Sequence, residues 1–333
     1  MRRPAALLAL ALVAACSGPR DEQPAPVPPG SSVPSVSGAS VPVLGGWQTL
    51  APALSKRTEV AAAVAAGRIV VAGGYRGDGA TVSTVETLDV ASGRWEPGPD
   101  LPVPVNHAMS ATVGGRIYIF GGYLSSNRPT DVAFTLEGNQ WRQVASLPQP
   151  RAAGTAVALG GTVYLAGGIG GNGLAADMLV YDAATDRWST APGPPTRREH
   201  LGGAGFGGVV YTVGGRTGGL STNLTSFEAY DTRTSAWIRL PDLPTRRGGL
   251  AATATCTGLI VAIGGEGTDT FAAAEAFEIQ SRAWKALPPL PTPRHGLGVV
   301  AIANRVYTLS GGPQPGLHVA DTTEAIEVAG PCQ

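Results

Sequence analysis

Branched and aromatic residues fall in short runs along this chain, and each of six such runs stops at paired glycines. The runs are RIVVAGG, RIYIFGG, TVYLAGG, VVYTVGG, LIVAIGG and RVYTLSGG, with glycine pairs beginning at Gly73, Gly121, Gly167, Gly214, Gly264 and Gly311. Runs of this composition bounded by glycine are strand sequences. A shorter apolar run precedes each across a tight turn, as in residues 155–159, so each pair of runs reads as a hairpin. A third strand follows, carrying Leu88, Leu136, Tyr181, Tyr230, Phe277 or Ile326. The six tryptophans, Trp47, Trp95, Trp141, Trp188, Trp237 and Trp284, mark a short fourth strand. Glycine pairs and tryptophans both step by 46 to 50 residues, which predicts six copies of one four-stranded antiparallel unit.

One such sheet cannot bury both of its faces. Six stacked face to face around an axis can, with their edges protected, and a tryptophan is large enough to fill the wedge between neighbours. The glycine pair, the tryptophan and the Glu-x-apolar-acid strands beginning at Glu86, Glu228, Glu275 and Glu324 together resemble the Kelch family, from residue 47 to about residue 328. The resemblance implies an all-β, six-bladed Kelch-type β-propeller with four-stranded antiparallel blades. A WD-type propeller has a shorter period and a Trp-Asp pair, which this chain lacks. The repeats begin on a tryptophan strand and end after a third strand, so residues 47–50 are predicted to complete blade six.

Composition supports a turn-rich all-β chain: 47 Gly and 28 Pro accompany 43% hydrophobic and only 14% charged residues. Residues 1–15 read as a signal peptide, with Arg2 and Arg3 ahead of an apolar run too short for a resident membrane span. Setting those two arginines aside leaves 22 basic and 24 acidic residues, a balance that does not suggest nucleic acid. Val13-Ala14-Ala15-Cys16 resembles the lipobox of bacterial lipoproteins. That resemblance implies cleavage before Cys16 and its lipidation, hence a membrane anchor at the cell envelope, and with Ser17 next the outer membrane if the host is Gram-negative. The other reading is an ordinary secretory leader with an incidental cysteine. Residues 16–45, rich in Pro and Ser, read as a tether, and residues 46–333 as the propeller, expected to be a monomer. Cys256, in the turn after the inner strand of blade five, and Cys332, after the third strand of blade six, fall on one rim. They are read either as a disulfide in an oxidising compartment or as a buried thiol and a free tail thiol.

Candidate chemistry lies on the face made by the loop into each inner strand and the loop after each glycine pair. An arginine follows the tryptophan by ten residues in five repeats, at Arg57, Arg151, Arg198, Arg247 and Arg294, and Val105 takes the place in blade two. Arg76, Arg128 and Arg216 fall outside that register and vary between blades, with Tyr75, Tyr123, His107, His200 and Glu266 nearby. Read as function, these residues make a cationic bowl that would bind an envelope protein or an acidic glycan. Read as architecture, the in-register arginines bond loop carbonyls or the repeated glutamate of the third strand.

Two enzyme classes bear on the same face. Copper-dependent sugar oxidases with Kelch-like repeats need converging His and Tyr ligands. His107 and His200 belong to the non-adjacent blades two and four, and His295 is one residue out of step. No metal centre and no cofactor are therefore expected. Exported bacterial six-bladed proteins of this type also include sialic acid mutarotases, and that resemblance implies a Glu and an Arg after a strand-end glycine. Glu266 follows Gly264-Gly265, but Thr268 and Asp269 come next, so the arginine would have to come from another blade, such as Arg216. The expected function is recognition, with a sugar mutarotase or other sugar-modifying activity as the alternative.

Overall fold

The structure is a computed structural model that describes residues 45–328 and Cys332. The signal peptide, Cys16 and nearly all of the tether lie outside the described residues.

Six four-stranded antiparallel sheets form the described structure, with one small extra hairpin, Ile169–Gly170 with Gly173–Leu174, after the glycine pair of blade three. Blade four shows the unit: Gly202–Phe206 innermost, then Val209–Val213, Phe227–Asp231 and Ala236–Arg239 outermost. Inner strands of successive blades touch in order, and that of blade six, Gly298–Ile302, touches that of blade one, Ala61–Ala65. The ring closes as the sequence predicts. Gln48–Thr49 pairs antiparallel with Thr323–Glu327, Gln48 opposite Ala325 and Thr49 opposite Glu324, and so supplies the fourth strand of blade six.

In blades one, three, four and five the tryptophan lies directly across from the third-strand residue that precedes it: Leu88 faces Trp95, Tyr181 faces Trp188, Tyr230 faces Trp237 and Phe277 faces Trp284. Leu136 faces Trp141 in the same way, so the shorter spacing in blade two comes from a tighter turn and not from a register slip. Six apolar clusters fill the six wedges between blades, and each takes in one tryptophan ring. The indole N–H groups repeat a single bond: each donates to a carbonyl in the tail of the preceding blade's outer strand. Trp188 reaches Ala145, Trp237 reaches Pro192, and Trp47 reaches Pro288 at 2.8 Å to close the circle.

The glycine pairs stitch the blades a second time. Gly168 N–H donates to Arg198 C=O at 2.8 Å, and a Cβ on Gly167, whose φ is +64°, would lie 2.7 Å from that same oxygen. At Gly167 the positive φ and this close approach together favour glycine. The corresponding bond in blade six runs from Gly311 N–H to Arg57 C=O at 2.8 Å. The strand-end pair there is thus Ser310-Gly311, with Ser310 at φ 54° in the place of the first glycine, one residue earlier than the glycine ladder suggests. On one rim, Cys256 and Cys332 are joined in a disulfide with Cα atoms 5.8 Å apart, linking the inner hairpin of blade five to the tail beyond blade six.

Candidate functional site

The in-register arginines are spokes inside the blades. Arg57, Arg151, Arg198, Arg247 and Arg294 have no solvent exposure. Arg198 spends its donors within its own blade, on Gly214 O at 2.7 Å, Thr212 O at 3.1 Å and Glu228 Oε2 at 2.5 Å. Arg247 with Glu275 and Arg294 with Glu324 repeat the arrangement, and Arg57 lies 3.2 Å from Glu86. The arginine and glutamate sit on adjacent layers of one blade, where a desolvated guanidinium is satisfied only by the strand-end carbonyls and the third-strand carboxylate. The cationic bowl therefore loses these five members, because their guanidinium groups are buried inside the fold. Blade two replaces both partners, with Val105 buried where the arginine would be and Phe134 where the glutamate would be. Blade three keeps Arg151 without a glutamate. It bonds Gly167 O and Asp177 O, and burial pushes its pKa down to about 10.

Two residues beyond each spoke, the chain turns sharply onto the axis. Glu59, His107, Ala153, His200, Gly249 and Gly296 occupy this position, all with φ between 51° and 66°. Their peptide groups bond head to tail around the axis. His107 N–H donates to Glu59 C=O at 3.0 Å, Ala153 to His107 at 3.0 Å, His200 to Ala153 at 2.7 Å, Gly249 to His200 at 2.9 Å and Gly296 to Gly249 at 2.9 Å. Val60 N–H to Gly296 C=O at 3.3 Å completes the belt. Three of the six positions carry small or absent side chains, so the three large ones turn inward and meet.

That meeting corrects the expectation that the histidines do not converge. His107 Nε2 lies 2.9 Å from His200 Nε2 and 3.2 Å from Glu59 Oε2. Blades two and four are not neighbours, but the ring is narrow at this level and the intervening residue is only Ala153. His295, one residue out of step, belongs to the same cluster: its Nδ1 is 3.2 Å from Glu59 Oε1 and its Nε2 donates to Gln314 O at 3.1 Å. Among the described residues, Glu59, His107 and His200 are the group whose ligand atoms lie close enough together, all within 4.8 Å, to hold a metal ion.

An outer ring of charge supports them. His200 Nδ1 donates to Glu199 Oε2, Arg216 Nε donates to Glu199 Oε1 at 3.0 Å, and Arg216 reaches Glu266 Oε1 at 2.8 Å. Glu266 in turn lies 3.6 Å from His295. Burial disfavours ionising Glu59, but His107 and the hydrogen bond from His295 outweigh it and hold the carboxyl below the usual carboxylate range. Burial pushes His107 down to about 4, so it is neutral at neutral pH. Burial also works against a charge on His295, but the carboxylates of Glu59 and Glu266 prevail and raise its pKa. Tyr75 and Tyr123 pack edge-on against the His107 ring, with centroids 5.9 and 5.4 Å away. The three converging side chains sit on the wall of an axial cavity of about 560 Å³, lined further along by small residues of the inner strands such as Ala61, Ala111, Gly203 and Ala252.

The remaining expected residues separate by exposure. Arg216 and Glu266 are buried in the outer ring, whereas Arg76 and Arg128 are exposed on the loops of blades one and two, Arg76 against Asp78.

Known proteins match along most of the ring. The KLHDC2/KLHL20/DRC7 Kelch-repeats domain matches residues 47–193, and the Kelch motif matches residues 197–244. The chain is a Kelch-repeat protein. Among similar Kelch proteins, Kelch-like protein terF of Aspergillus terreus is 28% identical over 253 residues, 68% of this chain and 54% of that protein. Kelch-like protein 23 of Homo sapiens is 26% identical over 60% of this chain and 35% of its own length. Kelch-like protein 36 of Bos taurus is 28% identical over 48% of this chain and 27% of its own length. The Kelch chain described here thus spans about half, or less, of these relatives.

Three residues of the site escaped the sequence reading: Glu59, Glu199 and His295 as a partner of Glu59. A signal for them exists in the Kelch register itself. Reading one and two residues past each spoke gives Thr58-Glu59, Asn106-His107, Ala152-Ala153, Glu199-His200, Gly248-Gly249 and His295-Gly296. Polar residues there concentrate in blades one, two, four and six.

Proposed function

We propose that this Kelch propeller is an interaction module that docks a protein partner across the loop rim around the axial mouth, tethered through Cys16 to the cell envelope. Kelch propellers generally bind protein partners, and the lipobox-like leader supports export and anchoring, at the outer membrane in a Gram-negative host. The observation that carries the reading is the division of labour among the loops. Residues that repeat are buried in spokes, whereas the exposed rim residues, Arg76, Arg128, Leu220 and Leu317, differ from blade to blade. Tyr75 and Tyr123, half-buried on the same rim, add the aromatic component common at protein interfaces. An acidic glycan is the other ligand such a rim suits.

The test uses the full chain reconstituted in lipid nanodiscs, chemically cross-linked to envelope extracts, with the captured partner then purified and titrated. The combined variant Arg76→Ala, Arg128→Ala and Leu317→Ala is expected to weaken that partner at least tenfold without changing the melting temperature. Equal binding by parent and variant rejects the rim as the docking surface. Retention of acidic glycans in place of proteins, weakening with salt, rejects the protein reading in favour of the glycan.

A second reading rests on the Arg216–Glu266 ion pair at 2.8 Å, which brings a glutamate after a strand-end glycine beside an arginine from another blade. It supports a sugar-modifying activity of the mutarotase kind. Glu266→Gln is then expected to abolish anomer exchange measured by NMR, and absence of exchange in the parent chain eliminates the reading.

A further inference from the structure

We propose that Glu59, His107 and His200 form a binding site for one divalent transition-metal ion of the zinc class at the axis of the propeller.

Hydrogen bonds around the two histidines select the positions of their ring protons. Asn106 Nδ2 donates to Thr81 Oγ1 at 2.8 Å and faces Tyr123 O at 3.3 Å, and a carbonyl can only accept. The amide is thereby fixed with Oδ1 towards His107 Nδ1, 2.5 Å away, so Nδ1 carries the proton of neutral His107. His200 is fixed in the same way, with Nδ1 donating to the Glu199 carboxylate, whose other oxygen is held by Arg216. In the neutral tautomers that these bonds select, both imidazoles present bare Nε2 lone pairs, and the two Nε2 atoms face each other at 2.9 Å. A carboxylate oxygen of Glu59 stands 3.2 Å from His107 Nε2. Three electron-pair donors pointed at one another repel unless a cation lies among them. A shared proton satisfies two of the three; a metal ion satisfies all three.

Geometry and support fit a metal. Two imidazole nitrogens bound to one zinc at about 2.0–2.1 Å lie roughly 3.3 Å apart in a tetrahedron, so the two imidazoles need part by only a few tenths of an ångström, while the Glu59 carboxylate, within 4.8 Å of both, closes towards them. Each donor residue has an outer partner that fixes its orientation: Asn106 for His107, Glu199 for His200 and His295 Nδ1 for Glu59 Oε1. Such partners hold the tautomer and aim of metal-binding side chains. Two imidazoles and one carboxylate suit zinc and its first-row neighbours better than magnesium or calcium, which prefer all-oxygen shells. Three protein ligands leave coordination positions for water on the side of the axial cavity, whose wall these residues form.

The test titrates chelator-stripped full chain with Zn(II) by calorimetry and with Co(II) by visible absorption. The expected result is about one ion per chain and a cobalt d–d spectrum. Glu59→Gln, which keeps side-chain shape, and His107→Asn and His200→Asn, which suit a left-handed φ, are each expected to weaken binding at least tenfold. Asn106→Ala, which frees the His107 ring, is expected to cost about 10- to 100-fold. His318→Ala, altering an exposed histidine, serves as the control and should bind like the parent. Sub-stoichiometric uptake by the parent overturns the proposal. So does unchanged affinity in Glu59→Gln, or histidine NMR signals of His107 and His200 that report a shared proton and do not respond to zinc. If a histidine variant fails to fold, the Glu59→Gln titration decides.

Discussion

The spokes and the axial belt lie two residues apart in every repeat, yet they follow opposite rules. Spoke chemistry is nearly uniform: an arginine, two or three strand-end carbonyls and usually a third-strand glutamate, all buried. Belt chemistry is uniform only in its backbone, six left-handed residues bonded in a circle, while the side chains run from nothing at Gly249 and Gly296 to Glu59, His107 and His200. Uniform side chains mean that each blade faces the same packing problem. Uniform backbone with varied side chains means a common frame on which unlike groups are brought to one point. In a ring protein the second pattern is where chemistry belongs, since no single blade contains the site.

The repeated stitches are expected to dominate stability. Deleting residues 47–50 removes the last strand pairing, the Trp47 indole bond to Pro288 and its packing between blades five and six. Truncating a buried Trp costs about 3–5 kcal/mol; Trp47 is only partly buried, but the lost strand pairing and indole bond add to its share, so the deletion should cost a comparable amount in chemical denaturation, and an unchanged melt would show that the ring does not close through this strand.

Next in size is a broken spoke. Glu228→Ala leaves Arg198 buried without its carboxylate and is expected to cost about 3–5 kcal/mol. The double change Arg198→Val with Glu228→Phe copies the Val105 and Phe134 of blade two. It should lose less than the sum of the two single changes, with a coupling of about 1.5 kcal/mol or more. Additive losses would mean the arginine and glutamate do not act as a unit.

The smallest effect belongs to the belt. Ala153 adopts φ 53°, where blades five and six use glycine. Left-handed backbone costs an L-residue about 1–2 kcal/mol, and part of that is offset by the greater freedom of glycine when unfolded. Ala153→Gly should therefore stabilise the protein by about 0.5 kcal/mol. A loss of more than 1 kcal/mol would indicate that the methyl group packs the axis, and the belt would then be a packing element like the spokes.

Six blades, the tryptophan wedges and the closing strand were all legible in the sequence, because each is written many times over in one register. The spokes were legible as a register but not as a role. A periodic arginine looks the same whether it points out to a ligand or in to a carbonyl, and only the desolvated pairing with Glu228, Glu275 and Glu324 separates the two. Blade six hid its register because Ser310 stands in for a glycine, a substitution that only the Gly311-to-Arg57 bond makes visible.

The periodic chain by itself determined that six equal sheets must stack, since an amphipathic four-stranded unit has no other way to bury both faces. The site came from what periodicity discards. Glu59, His107, His200 and His295 are spread over 237 residues in four blades and share no motif. What brings them together is the radius of the belt. Six bonded peptide groups make a circle so small that side chains from non-adjacent blades meet across it, and distance across a ring is set by closure, which no local stretch of sequence encodes.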